Sequence, residues 1–283
     1  MLRVVCFQTN PKLGETLYNV LNASKLLGSL QARSRSLPPV ANTLAVFPEM
    51  AFTGYNFAEE GLHSMVEKEA GASREWALNA AKSSGFHCVL GYPELCGRDS
   101  YNSAIWAGPN GLVYNYRKHH LYTVDEELGY KEGPGFRKFA VNLCGKEIIA
   151  AIGICMDLNP YRFEADFSEY EFGRFIVEND ADLVVIPCAW MAVPPEEADP
   201  VKRMVAYWVT RLTPLINDSK ERVVIICNRV GNEVNCTYGG SSCVLILGGP
   251  KKAQLVSAAS CGSEDVLIVD LSIHNDQIKA SVP

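Results

Sequence analysis

A thiol, a carboxylate and an ammonium each stand at the end of an apolar, strand-like run in this chain. Cys155 lies in Gly153-Ile154-Cys155-Met156-Asp157, directly after Glu147-Ile148-Ile149-Ala150-Ala151-Ile152. Polarity changes abruptly at Asp157 and Asn159, and Pro160 follows. The thiol is therefore expected at a strand's C-terminal end, where open α/β sheets present ligand-binding groups. Glu49 follows Thr43-Leu44-Ala45-Val46-Phe47-Pro48 and borders apolar Met50, Ala51 and Phe52. That setting predicts a carboxylate in a desolvated pocket, suited to general acid–base work. Lys118 ends Leu112-Val113-Tyr114-Asn115-Tyr116-Arg117. Alternation puts it on one face with Tyr116 and Tyr114, and Arg117 on the other with Asn115 and Val113, without fixing which face is inward. Together the three are the parts of a cysteine amidohydrolase. Singly, each admits a plainer role: a buried apolar thiol, a solvated loop carboxylate, a surface charge.

The elements that must position them alternate along the chain. Strands are predicted over 2–9, 43–47, 87–90, 183–187, 222–228, 241–247 and 264–271, and helices over 15–31, 73–84, 168–179 and 200–213. Gly108-Pro109-Asn110-Gly111 joins strands 101–107 and 112–117 as a hairpin, and Cys144-Gly145 joins 136–143 to 147–152. Arg33 to Pro39 reads as a polar loop. Hairpins mixed with strand–helix–strand units argue for a layered α/β arrangement with mixed sheets. No repeat or Gly/Ser/Pro-rich linker divides the 283 residues, so residues 1–283 are expected to form one domain.

Composition narrows the function classes. The chain is 48% hydrophobic and 20% charged, with net charge −6, mean hydropathy +0.01 and pI about 5.5. Its basic pairs (Arg33/Arg35, Arg117/Lys118, Lys202/Arg203, Lys251/Lys252) are scattered, so nucleic-acid binding, which needs a concentrated basic face, is not expected. No apolar stretch has the length to span a bilayer, and no membrane role is expected. Of ten cysteines, Cys6, Cys144, Cys188, Cys227 and Cys243 lie in or beside apolar runs, where free thiols behave as small hydrophobes. The N-terminal run is too short for a secretory signal. The expectation is a reducing, cytoplasmic compartment, with an organellar pool left open. The histidines at 63, 87, 119, 120 and 274 form no HxxxH or HExxH and there is no CxxC, so neither metal nor cofactor is expected.

Phe47-Pro48-Glu49, Tyr116-Arg117-Lys118-His119-His120-Leu121-Tyr122 and Gly153-Ile154-Cys155-Met156-Asp157 resemble, in order, the three signatures of the nitrilase (carbon–nitrogen hydrolase) superfamily. Tyr101-Asn102-Ser103-Ala104, Gly133-Pro134-Gly135 and Gly239-Gly240-Ser241-Ser242 add to the likeness, which covers nearly the whole chain. Thr53-Gly54-Tyr55-Asn56-Phe57 and the run Cys155-Met156-Asp157-Leu158-Asn159-Pro160-Tyr161-Arg162-Phe163-Glu164 resemble more narrowly the fungal protein N-terminal asparagine/glutamine amidases of the N-degron pathway. The chain is shorter at its C-terminal end than some of that group. The resemblance implies a four-layer α-β-β-α sandwich, with Cys155 as nucleophile, Glu49 as general base and Lys118 as cationic stabiliser, aided by the backbone N–H of Met156. It also implies a second glutamate orienting the lysine, for which Glu132 is the first candidate and Glu126 the second.

The implied reaction converts N-terminal Asn or Gln of peptides and proteins to Asp or Glu, releasing ammonia through a thioester. Asp157 is then the candidate partner of the substrate α-ammonium, with capping of the following turn as its other reading. Tyr55, Trp190 and Tyr130 are candidate pocket walls, and His119 and His120 are read as structural. A small-molecule hydrolase of ω-amides, carbamoyl amino acids or nitriles is the alternative, and an idle scaffold or thiol sensor a third. Monomer and homo-oligomer both stay open.

Overall fold

Apolar runs too continuous for a one-sided sheet become, in the computed structural model, strands covered on both faces. The structure describes residues 1–34, 36–37, 40, 42–57, 65–68, 70–194, 196–274 and 277–283. Arg35, Pro38 and Pro39 of the expected loop, and His63, lie outside the described residues. One sheet has the order β15-β14-β1-β2-β3-β4-β5. Its strands are β1 (Leu2–Gln8), β2 (Asn42–Val46), β3 (His87–Cys96), β4 (Asp99–Gly108), β5 (Gly111–Arg117), β14 (Asp265–His274) and β15 (Gln277–Ser281). The other has the order β13-β12-β9-β8-β7-β6, formed by β6 (Lys138–Leu143), β7 (Lys146–Ile152), β8 (Leu183–Cys188), β9 (Arg222–Asn228), β12 (Cys243–Leu247) and β13 (Ala253–Ala258). A hairpin of β10 (Val230–Glu233) and β11 (Cys236–Gly239) stands apart.

The two-residue side-chain period of a strand explains the layering. In β1, Val4 and Cys6 point between the sheets, towards a core shared with Val46, Val89, Trp106, Ile152, Val185 and Ile225. Val5 and Phe7 point the other way, against α1 (Thr16–Ser34) and α2 (Ala72–Ser84), through Leu27, Leu30 and Ala77. On the far side, Val184, Ile186 and Val224 meet α4 (Glu171–Glu178), α5 (Pro200–Arg211) and α6 (Thr213–Asn217), through Phe172, Ile176, Trp208 and Leu215. The result is the expected α-β-β-α sandwich. Arg3 and Asp270 pin β1 to β14 by two hydrogen bonds of 2.7 Å each, both side chains buried.

Several boundaries differ from the sequence pattern. The strand expected over 87–90 runs on to Cys96, because β4 pairs with it along its whole length. The helix expected over 200–213 breaks at Leu212, where α6 opens with Pro214 in its first turn. The helix expected from 168 begins only at Glu171, since Tyr170 takes a left-handed φ of 46°. The sequence reading missed α3 (Thr123–Glu127), β10, β11, β13 and β15. No helix among the described residues is long and apolar enough to cross a membrane.

Candidate active site

Glu49, Lys118, Cys155 and Ala189 follow β2, β5, β7 and β8, so four strand ends deliver them to one edge of the sandwich. Glu49 is fully buried. Its Oε1 accepts from Lys118 Nζ at 2.8 Å and Asn102 Nδ2 at 2.6 Å, and its Oε2 accepts from the Ala189 N–H at 2.7 Å. A carboxylate offers about four lone-pair sites, so one site on Oε2 stays open for a further proton. Gly91 makes this placement possible: a Cβ there would lie 2.6 Å from Glu49 Cα and 2.9 Å from Met50 N.

Lys118 sits on the inward face with Tyr116, while Arg117 turns out to pair with Glu94 at 2.7 Å. Its backbone is held by Lys118 N–H to Asn102 O at 2.8 Å and Gly133 N–H to Lys118 O at 2.7 Å. The second carboxylate on its ammonium is neither glutamate expected from the sequence. It is Asp125, whose Oδ2 accepts from Nζ at 2.7 Å. Glu132 instead accepts from the Tyr161 hydroxyl at 2.6 Å and lies 3.5 Å from Arg162. Glu126 is exposed and lies 3.6 Å from the same arginine. The cause is helix phase. Asp125 is folded back to the start of α3, where it accepts from Tyr122 N–H at 2.9 Å, and each further residue turns about 100° away. Asn102 Nδ2 also donates to Asp125 Oδ1 at 2.9 Å, tying both carboxylates together. Burial works against the Lys118 charge, but Asp125 and then Glu49 outweigh it, holding the ammonium well above the usual lysine range.

Cys155 opens a four-residue turn of 3-10 helix, Cys155–Leu158, with a left-handed φ of 43°. A non-glycine residue there carries strain of about 1–3 kcal/mol, held by its surroundings. Asp157 supplies that hold. Its Oδ2 accepts from Ile154 N–H at 2.7 Å and the Tyr116 hydroxyl at 3.0 Å, and its Oδ1 from His119 N–H at 3.1 Å and His120 N–H at 2.8 Å. Against the expectation that Asp157 meets a substrate ammonium, its four acceptor sites are filled by protein donors, and it is not among the residues lining the cavity above the thiol. The turn-capping reading is the one the geometry matches. His119 and His120 direct Nδ1 at the backbone carbonyls of Gly133 (3.2 Å) and Asn159 (2.9 Å). Burial pushes the Cys155 thiol well above the usual cysteine range, Cys188 and the Glu49 charge add to this, and Lys118 opposes it.

A cavity of about 200 Å³ opens above the thiol, lined by Tyr55, Tyr122, Cys155, Met156, Asn159, Phe163, Ala189, Trp190, Met191 and Tyr207. Tyr55, Trp190 and Met156 thus fall where the sequence reading put them. Tyr130 does not: it is buried in an apolar cluster with Tyr55, Met50 and Leu128 rather than in the lining. Glu233 fixes the Tyr55 segment, accepting from the N–H groups of Tyr55 (3.1 Å) and Asn56 (3.0 Å). The Tyr55 ring lies 5.7 Å from Lys118 Nζ. Asn102, Asp125, Tyr122, Asn159 and Tyr207 were not named as site residues from the sequence; Asn102, Tyr122 and Asn159 left a signal, inside the Tyr101–Ala104, Tyr116–Tyr122 and Cys155–Glu164 matches. Among the described residues, no group of three or more His, Cys, Asp or Glu side chains is arranged to hold a metal ion.

Comparison with known proteins covers the stretch of chain that holds these residues. A family model described as carbon-nitrogen hydrolase matches residues 3–275. The protein N-terminal amidase of Schizosaccharomyces pombe is 30% identical over 266 residues, covering 86% of this chain and 90% of that protein. The protein N-terminal amidase of Saccharomyces cerevisiae is 33% identical over 208 residues, covering 67% of this chain and 45% of that longer protein. A crystal structure of an N-terminal amidase in complex with an Asn-Glu peptide shares the fold with a TM-score of 0.84 at 21% identity, covering 94% of this chain and 96% of that one.

Proposed function

The chain belongs to the carbon–nitrogen hydrolase family, and we propose that it deamidates N-terminal Asn and Gln of peptides and proteins to Asp and Glu. The observation that carries the chemistry is the buried cluster in which Lys118 bridges Glu49 and Asp125 beside the Cys155 cavity. The likeness to the S. pombe amidase over nine-tenths of that protein supports the substrate.

Each residue then has a task. Glu49 takes the proton from the Cys155 thiol through its open Oε2 site as sulfur attacks the amide carbon. The thiol rests protonated, since burial raises it, so proton transfer and attack belong to one step. Lys118 and the Met156 N–H meet the developing oxyanion; one such donor is worth about 10²–10³ in rate. Protonated Glu49 gives its proton to the departing nitrogen, which leaves as ammonia with a thioester on Cys155. Glu49 then takes a proton from water, hydroxide adds to the thioester, and that proton returns to sulfur as the acid leaves. Asp125 and Asn102 are positioning residues in this scheme.

The exposed side chains of Phe163 and Met191 at the cavity mouth leave a path for the rest of a peptide, which disfavours a small-molecule hydrolase with a closed pocket. By the same reading the product acids feed the N-degron pathway in the cytoplasm. Ammonia release from an Asn-starting peptide, a Gln-starting peptide, the N-acetylated Asn peptide and free glutamine tests the proposal. Activity on the two free-amine peptides alone is expected; activity on free glutamine alone overturns it.

A further inference from the structure

An N-terminal amidase has to sense a positive charge next to the amide it cleaves, and the buried acidic residues described around this site are occupied. Glu49 and Asp125 are bound to Lys118, and Asp157 is filled by four protein donors. Glu233 serves Tyr55, Asn56, Tyr238 and Arg229. Glu127 lies on the exposed side of α3, close enough to act on the Tyr122 hydroxyl but outside the cavity lining. Among the described residues, the cavity lining contains no carboxylate.

What it contains instead is aromatic. Trp190 and Tyr207 stand with ring centroids 5.5 Å apart at 57°. Tyr122 and Phe163 stand 6.5 Å apart at 82°. All four residues line the same cavity, and an organic cation is attracted to an aromatic face within about 6 Å of the ring centroid. Trp190 is braced from behind by Trp208, edge-on at 5.9 Å. The Tyr207 hydroxyl donates to Asn159 Oδ1 at 2.7 Å, so its proton is committed and its oxygen turns only lone pairs to a guest.

We propose that the aromatic walls Trp190, Tyr207 and Tyr122 bind the α-ammonium of the substrate by cation–π attraction, taking the place of a carboxylate. This rests on the N-terminal amidase reading and adds the group that enforces it. A free ammonium fits such a cage; an acetylated nitrogen brings bulk and no charge.

The test compares an Asn-starting peptide with its succinamoyl counterpart, in which hydrogen replaces the ammonium. The parent protein is expected to prefer the charged peptide in kcat/KM. Trp190→Leu and Tyr207→Leu should each shrink that preference by about ten- to thirty-fold, mainly through KM, as a desolvated cation–π contact implies. Trp190→Phe, which keeps an aromatic ring against Trp208, should shrink it about three-fold and guards against a folding defect in the leucine variant. A preference unchanged in the ring variants, or lost in Glu127→Gln with the rings intact, overturns the cage while leaving the amidase reading in place. A parent protein that does not prefer the charged peptide overturns both.

Discussion

The Tyr116 hydroxyl donates to Asp157 Oδ2 at 3.0 Å, joining the strand that delivers Lys118 to the turn that carries Cys155. The same carboxylate takes the N–H groups of His119 and His120, immediately past the lysine. Asp157 therefore ties the lysine segment to the turn that carries Cys155.

Asp157→Ala leaves the buried Ile154 and His120 N–H groups, the half-buried His119 N–H and the buried Tyr116 hydroxyl without their acceptor. Each unmet group costs about 1–3 kcal/mol, so a loss of about 3 kcal/mol or more is expected, with Tm lower by about 6–12 °C in a domain of this size. The rate should fall on every substrate while the ratio of free-amine to acetylated peptide is unchanged. A collapse of that ratio would return Asp157 to the substrate.

Asp125→Asn removes the charge that does most to keep Lys118 protonated against its burial. Lys118 acts as a cation, so activity is lost as pH rises through its pKa. In the parent that pKa lies well above the usual range and imposes no limit below strongly alkaline pH. In the variant the alkaline limb of the kcat/KM profile should move to lower pH, with kcat down about 10²-fold. An unshifted alkaline limb would deny Asp125 its electrostatic task.

Gly91→Ala would place a methyl group 2.6 Å from Glu49 Cα, against the Pro48–Met50 backbone and with no flexible side chain to yield. The Glu49 segment must give way. Misplacement of a catalytic group by about 1 Å costs about 10²-fold in rate. The check is kcat of a variant whose circular dichroism and melting remain near those of the parent.

His87 is buried and its Nδ1 faces the Trp106 indole N–H at 3.1 Å, an arrangement that suits neutral imidazole. Burial lowers its pKa in the folded state. Below the unfolded value of about 6.5, the unfolded chain therefore binds a proton that the folded chain does not. Stability should fall as pH drops from there towards the folded pKa, by at most about 1.4 kcal/mol per pH unit. In His87→Phe this component of the slope should vanish from urea midpoints measured between pH 5 and pH 7.

Cys155, Glu49 and Lys118 were legible because residue type and strand-end position both restrict what they can do. The sandwich itself came from resemblance; the alternating pattern was compatible with it but did not dictate that two sheets stack. Asp125 was hidden, since a five-residue helix is too short to reveal its phase, and the choice among three consecutive acids depends on that phase. Asp157 misled for a different reason. A carboxylate two residues past the nucleophile reads as free until the N–H groups of a segment 37 and 38 residues upstream are seen to fill it. The cavity aromatics come from segments distant in the chain, and β10, β11, β13 and β15 are six residues or shorter. No local pattern announces either.

Glu49 takes its donors from Lys118 and Asn102 on one side of the sandwich and from Ala189 on the other. Glu49 and Lys118 thus belong to the seven-stranded half and Cys155 to the six-stranded half. Neither half owns a complete reaction centre. On the proposed mechanism, activity arises only at the seam and is an all-or-nothing report on the alignment of the two layers. A slip of one over the other would silence the protein while both were still fully hydrogen-bonded.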